Sequence, residues 1–300
     1  MSCGDPAAAP ATDPVVDTPG EAPDSGETEL AVAPDRDMSQ ATPSPARAAV
    51  DEESPATNAQ TTEDPIQTIV EHLEVKVQAV YPHDPTAFTQ GLVWDGGLLY
   101  ESTGLYGKST LRRVEPTSGM VLDKSFLDPN FFGEGLTMVD GRLLQLTWKA
   151  GVAFVYDIAS LEIVDEFGYN GEGWGLAYSD GLLVMSDGSS RITSRDPGDF
   201  RWLSTVDVRQ DGQPVADLNE LEFAEGKLYA NVWGQDRIVR LDPTTGIVDG
   251  VINASGLLSP REQKMVDVLN GIAYDPVSKT FWLTGKFWPK MFQVTFEPVD

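Results

Sequence analysis

One pattern recurs along the chain and limits what it can fold into: a polar or aromatic residue, then Gly-Leu or a near equivalent, then a turn, then a second apolar run. It reads QGLVWDGGLLYEST from Gln90, EGLTMVDGRLLQLTW from Glu134 and WGLAYSDGLLVMSDG from Trp174. It returns as NELEFAEGKLYANVW from Asn219 and NGIAYDPVSKTFWLTGK from Asn270, at successive spacings of 44, 40, 45 and 51 residues. Each copy alternates apolar and polar residues at period two and breaks at Asp-Gly or similar, which predicts a β-hairpin. A second strand pair follows each, as in TLRRVEPTSGMVLDKSF, AFVYDIASLEIVDEF and RIVRLDPTTGIVDGVI, with RITSRDPGDFRWLSTVDV a looser version. Four strands in 40–50 residues is the period of a propeller blade. The expectation is therefore an all-β fold, a five-bladed β-propeller over residues 85–300, with at most one helical turn near Pro260–Val268. A β-sandwich of irregular hairpins would explain the strands but not the regular copies. The last copy lacks an outermost strand, and Leu73–Val80, which alternates correctly, can supply it, closing the ring and removing an exposed edge.

Composition sets the other boundary. Residues 1–65 contain ten of the 21 prolines and fourteen Asp/Glu against only Arg36 and Arg47, and the first aromatic is Tyr81. Such a segment cannot bury enough apolar surface to offset its ordering entropy. Residues 1–70 are thus expected to be a disordered acidic tail or tether, and 71–300 the folded domain. A net charge of −26 argues against nucleic-acid partners, which need Lys and Arg to neutralise phosphates. One cysteine excludes a disulfide framework, and His72 and His83 alone cannot build a multi-histidine zinc centre. No apolar run reaches the roughly 20 residues that span a bilayer. Cys3, followed by a small residue and a long polar stretch, has two readings: an ordinary cysteine in a tail, or the lipidated start of a chain resembling a mature bacterial lipoprotein. The second implies a membrane tether and an extracytoplasmic, periplasmic or secreted, location.

Equivalent positions of the innermost strands converge on a propeller's axis. The residues before Gly-Leu are Gln90, Glu134, Trp174, Asn219 and Asn270, and the ends of the second strands give Thr103, Trp148, Asp187, Trp233 and Lys286. Together they predict a mouth holding a carboxylate, an ammonium, carboxamides and three indoles. Each also has a structural reading: the tryptophans as blade packing, Gln90 and Asn219 as caps of backbone groups, Asp187 as a turn residue, Lys286 as a snorkelling side chain. Glu134, in FFGEGL, is the most informative. A carboxylate against aromatic walls is desolvated and its pKa rises toward a useful acid/base value; the competing account is a structural Glu134–Lys286 pair. His83 reads as a loop residue held by hydrogen bonds.

The motifs YPHDPTAFTQGL (81–92), FFGEGLT (131–137), LTW (146–148), GWGL (173–176), LNELE (218–222), NVW (231–233) and LNGIAYD…LTGK resemble the glutaminyl-peptide cyclotransferase family of the plant and bacterial type, from about Tyr81 to Val294. The resemblance implies a five-bladed propeller acyltransferase that converts an N-terminal glutaminyl residue of a peptide or protein to pyroglutamate and releases ammonia. It also implies no cofactor and no catalytic metal; a structural cation elsewhere is compatible with the sequence. By the same resemblance Glu134 shuttles the proton and Lys286 assists. Gln90 and Asn219 would bind the substrate's amides, and Phe88, Phe132, Trp148, Trp174 and Trp233 would wall the pocket. A monomer is expected. The rival readings are a non-catalytic extracytoplasmic propeller that binds peptides, and a calcium-dependent lactonase-like hydrolase, which would need more carboxylates at the axis.

Overall fold

Strand formation follows the alternation in the repeats. The computed structural model describes residues 69–299, so Cys3 and all but the end of the expected tail lie outside the described residues. β1 (Glu71–Pro82) precedes the first copy. The first copy forms β2 (Thr89–Asp95), β3 (Leu98–Thr103), β4 (Thr110–Glu115) and β5 (Met120–Phe126). The second forms β6 (Gly133–Val139), β7 (Arg142–Thr147), β8 (Val152–Asp157) and β9 (Ile163–Gly168). The third forms β10 (Leu176–Ser179), β11 (Leu182–Ser186), β12 (Arg191–Arg195) and β13 (Trp202–Asp207). Each set is an antiparallel sheet paired in chain order. A small hairpin, β14 (Arg209–Gln210) with β15 (Gln213–Pro214), leads into the fourth copy. That copy is β16 (Leu218–Ala224), β17 (Lys227–Val232), β18 (Arg237–Leu241) and β19 (Val248–Asn253). The last is β20 (Leu269–Asp275), β21 (Thr280–Gly285) and β22 (Lys290–Pro298), and the expected helical turn is a 3₁₀ turn at Gln263–Met265. At the turn between β6 and β7, Asp140 and Gly141 have φ of 48° and 74°, the two successive positive values of a type I′ hairpin.

The fold is all-β and propeller-like. In each four-stranded set the first strands are buried, whereas β5, β9 and β13 are largely exposed. The first strands touch in the order β2, β6, β10, β16, β20, and β20 returns to β2. Glycine permits this approach. A Cβ on Gly91 would lie 2.4 Å from the Leu136 nitrogen, one on Gly135 2.6 Å from that of Leu176, and one on Gly175 2.0 Å from the Asn219 carbonyl oxygen. The glycine of each X-Gly-Leu motif is thus the point where one inner strand backs onto the next. The fourth copy has Glu220 instead, and its buried carboxylate accepts from the backbone N–H of Leu92 (3.3 Å) and Ile272 (2.8 Å), tying three inner strands together.

The missing outer strand of the last copy is β1, antiparallel to β22 with Val75 opposite Phe296 and Pro82 opposite Lys290. It starts two residues earlier than the alternation predicts. Those residues, Glu71 and His72, run parallel to β19 opposite Gly250 and Val251, merging the last two copies into one eight-stranded sheet. Apolar clusters fill the spaces between neighbouring sheets. One holds Leu111 with Leu143 and Tyr156, and another Leu92 and Leu99 with Trp282.

Candidate active site

The polar residue of each motif sits in an irregularity of its strand. Pairing with the second strand shifts register between Thr89 and Gly91, Gly133 and Leu136, Leu218 and Leu221, and Leu269 and Ile272. Gln90, Glu134, Asn219 and Asn270 fall inside these bulges, a device that re-aims a side chain. One cavity of about 190 Å³ is lined by Phe88, Gln90, Phe132, Glu134, Trp148, Trp174, Asn219, Trp233 and Lys286. All nine expected pocket residues therefore meet in one place. Three other expected ring members, Thr103, Asp187 and Asn270, do not line it. Trp148 and Trp233 each donate their N–H to a carbonyl ahead of the inner strand, Phe132 and Asp217, and in the first copy Gly104 makes that bond to Phe88. The equivalent positions are Gly104 and, by the 14-residue offset of its neighbours, Gly188. One residue of slip turns a strand side chain to the other face, so Thr103 bonds Thr110 and Asp187 caps the turn at Ser189. Both glycines leave room for pocket rings: a Cβ on Gly104 would meet Phe132 at 2.3 Å, and one on Gly188 would meet Trp174 at 2.7 Å.

Glu134 is 5% exposed, and its Oε1 accepts from Gln90 Nε2 at 2.9 Å. Among the described residues nothing donates to its Oε2. Burial drives its pKa well above the carboxylate range; Lys286 opposes this and Glu172 adds to it. Lys286 is also buried, which lowers its pKa against the pull of Glu134 and Asp267. Its Nζ lies 4.8 Å from the centroid of the Phe88 ring, a cation–π contact. No ion pair within 4.0 Å joins Lys286 to Glu134, so the structural pair considered from the sequence is not formed. Asn219, which lines the cavity, has a buried Oδ1 with no hydrogen-bond partner. Phe132 packs against Trp148 (5.5 Å between centroids) and Trp174 against Trp233 (6.3 Å), edging the cavity with apolar walls. Among the described residues, no three His, Cys, Asp or Glu side chains cluster to hold a metal ion.

The sequence model of the glutamine cyclotransferase family matches residues 48–296. This chain belongs to that family. A glutaminyl-peptide cyclotransferase of Arabidopsis thaliana is 42% identical over 226 residues, covering 74% of this chain and 71% of the relative. The crystal structure of Myxococcus xanthus glutaminyl cyclase is 39% identical and superposes with a TM-score of 0.71, over 77% of this chain and 100% of that one.

Several residues of this family member support the cavity without having been visible in its sequence. Glu172 is the chief one: its Oε2 accepts from the indole N–H of both Trp148 (2.7 Å) and Trp174 (3.0 Å), and Lys149 approaches at 3.6 Å. Burial works to raise its pKa, but the two indole donors and Lys149 outweigh it and hold the carboxylate charged. Only its place two residues before Trp174, between Gly171 and Gly173, hinted at this. Behind Glu134, Tyr156 donates to Gln145 Oε1 (2.7 Å), Gln145 Nε2 to Ser102 Oγ (2.7 Å), and Ser102 to the Glu134 carbonyl. Asn270, which the sequence placed on the same ring as Gln90, instead lies behind it and donates to its Oε1 at 3.3 Å. His83 is buried in the connection before β2, between Glu101 Oε1 (2.9 Å) and the Trp288 carbonyl (2.7 Å).

Proposed function

We propose that the chain is a glutaminyl-peptide cyclotransferase: an acyltransferase that closes N-terminal glutaminyl residues of peptides to pyroglutamate on a five-bladed propeller spanning 71–300. The observation that carries this reading is the convergence of nine polar and aromatic residues on one cavity around a buried carboxyl group. The substrate's neutral α-amine attacks the side-chain carboxamide carbon, forming the lactam C–N bond. Holding both partners in one rotamer captures much of the advantage of an oriented intramolecular reaction. Glu134 takes the proton the amine sheds and returns it to the carboxamide nitrogen. The C–N bond to that nitrogen then breaks, and it leaves as ammonia. The raised pKa of Glu134 suits both transfers.

Lys286 places positive charge beside the oxygen that becomes negative in the tetrahedral intermediate. Asn219 Oδ1 accepts an N–H from the substrate, which offsets the cost of leaving it buried and unpaired. The indoles and Phe88 exclude water and align the side chain. The pocket supplies one carboxylate and no imidazole or thiolate, a donor set that fits a metal-independent reaction.

Glu134→Gln tests this reading on a glutaminyl dipeptide. The variant is expected to melt like the wild type and lose ~10²–10⁴-fold in ammonia release. Undiminished turnover rejects the shuttle, and peptide binding without ammonia release by the wild type rejects the enzyme. For the setting, the tail sequence supports an extracytoplasmic enzyme tethered through a lipidated Cys3; mass spectrometry finding an unmodified Cys3 in membrane-fractionated cells would reject the anchor.

A further inference from the structure

The cavity around Glu134 is small beside the ~300–1,000 Å³ of sites for drug-sized ligands, and at about 190 Å³ it suits one substrate residue. The remainder of a peptide must lie elsewhere. Trp233, 47% exposed, stands at the mouth. Val232, the residue before it, lines a second cavity of about 430 Å³, whose walls also include Gln210, Gln213, Asp217, Gln235 and Arg237. The two cavities share their backbone partition. Asp217 and Val232 face the larger one, while Asn219 and Trp233, on the same strand ends, face the smaller. The partition is held by Trp233 N–H to the Asp217 carbonyl (2.8 Å) and Asp217 N–H to the Gly188 carbonyl (3.0 Å), with Gly188 against Trp174. The outer wall is also fixed, because the β14–β15 hairpin is anchored by Arg209 N–H to the Gly246 carbonyl (2.9 Å) and Val215 N–H to the Val208 carbonyl (2.9 Å).

The chemistry of this second cavity suits a peptide backbone. Among the described residues the carboxamides of Gln213 and Gln235 make no hydrogen bond, so each offers a free donor and a free acceptor. Gln210 receives Arg237 Nη2, which leaves the buried Arg237 Nε without a partner. Carboxamides lining a groove pair with main-chain N–H and C=O of any sequence, and Val215 and Val232 add apolar wall beside them. We propose that this cavity is the subsite for the residues following the N-terminal glutamine, bound as extended backbone. The assignment rests on the cyclotransferase reading above and names where the rest of its substrate goes.

The test compares Gln-Ala with Gln-Ala-Ala-Ala-Ala on the wild-type chain and on the double variant Gln213→Ala/Gln235→Ala, with a thermal melt to confirm folding. In the wild type, kcat/KM for the longer peptide is expected to exceed that for the dipeptide about tenfold, the size of two ordinary net hydrogen bonds. In the double variant that ratio is expected to fall close to one. A wild-type ratio of one, or a ratio the double substitution leaves unchanged, overturns the subsite while dipeptide turnover still stands. Absence of turnover on both peptides overturns the cyclotransferase reading and the subsite with it.

Discussion

Glu134 combines two properties that seldom coexist: it is buried, yet only one of its oxygens is engaged by the protein. Burial raises its pKa and Lys286 lowers it. If the ionised form accepts the amine proton, kcat/KM should climb with pH through a limb lying above the ordinary carboxylate range. Removing the neighbouring cation in Lys286→Met should move that limb to higher pH; a pH–rate profile with the limb unmoved or shifted down would sink the assignment. Glu172 tests a different matter, the seating of two indoles. Glu172→Leu removes the acceptor that Glu172→Gln keeps for both N–H groups, and should cost about tenfold or more in kcat/KM, in line with losing two hydrogen bonds to a partly exposed charged acceptor. Equal activity in the two variants would show that Trp148 and Trp174 hold their places without it.

The bulged inner strand is the unit that turns a repeat into a site. It swings one polar side chain toward the axis, and the glycine beside it lets the neighbouring strand approach. A methyl group at position 135 would press on the Trp174 carbonyl oxygen and the Leu176 nitrogen, both 2.6 Å from the added carbon. Backbone atoms cannot give way as a flexible side chain would. Gly135→Ala should therefore cost about 1–3 kcal/mol, a fall of several degrees in Tm at ~2–4 °C per kcal/mol. Turnover should fall too, because Glu134 is the adjacent residue. A melt at the wild-type temperature would contradict the close approach.

Across the ring, stability couples to proton uptake. Glu222, on inner strand β16, accepts from the Tyr274 N–H at 2.9 Å, and burial pushes its pKa from 4.5 up to about 8. The folded chain then holds a proton that the unfolded chain has released, so this stabilisation is complete below about pH 4.5 and is lost as pH rises toward 8. Buried Glu220 acts in the same direction. Asp84 and Glu101 have lowered pKa values and act oppositely, so the difference between variant and wild type is the informative quantity. The Tm advantage of Glu222→Gln should widen from pH 5 to pH 8 and then level off. A gap independent of pH would refute the linkage.

Much of this was legible along the chain. Period-two alternation and the recurring X-Gly-Leu located the strands, and with the family motifs they picked out nine residues that line one cavity, because backbone pleat and hairpin turns are written locally. The slip at Thr103 and Asp187 shows the limit, since a one-residue offset in strand register changes which side chain faces the pocket. Glu172, the parallel pairing of Glu71–Glu74 with β19, and the cavity beside Val232 left no periodic trace. Each depends on atoms far apart in sequence: an indole pair reached by one carboxylate, the strand beside which the first residues of β1 come to lie, and a hairpin inserted between two copies. Alternation and turn chemistry act between neighbours along the chain and so can be read there, whereas burial, hydrogen-bond partners and proton affinity arise only when distant segments exclude water from one another.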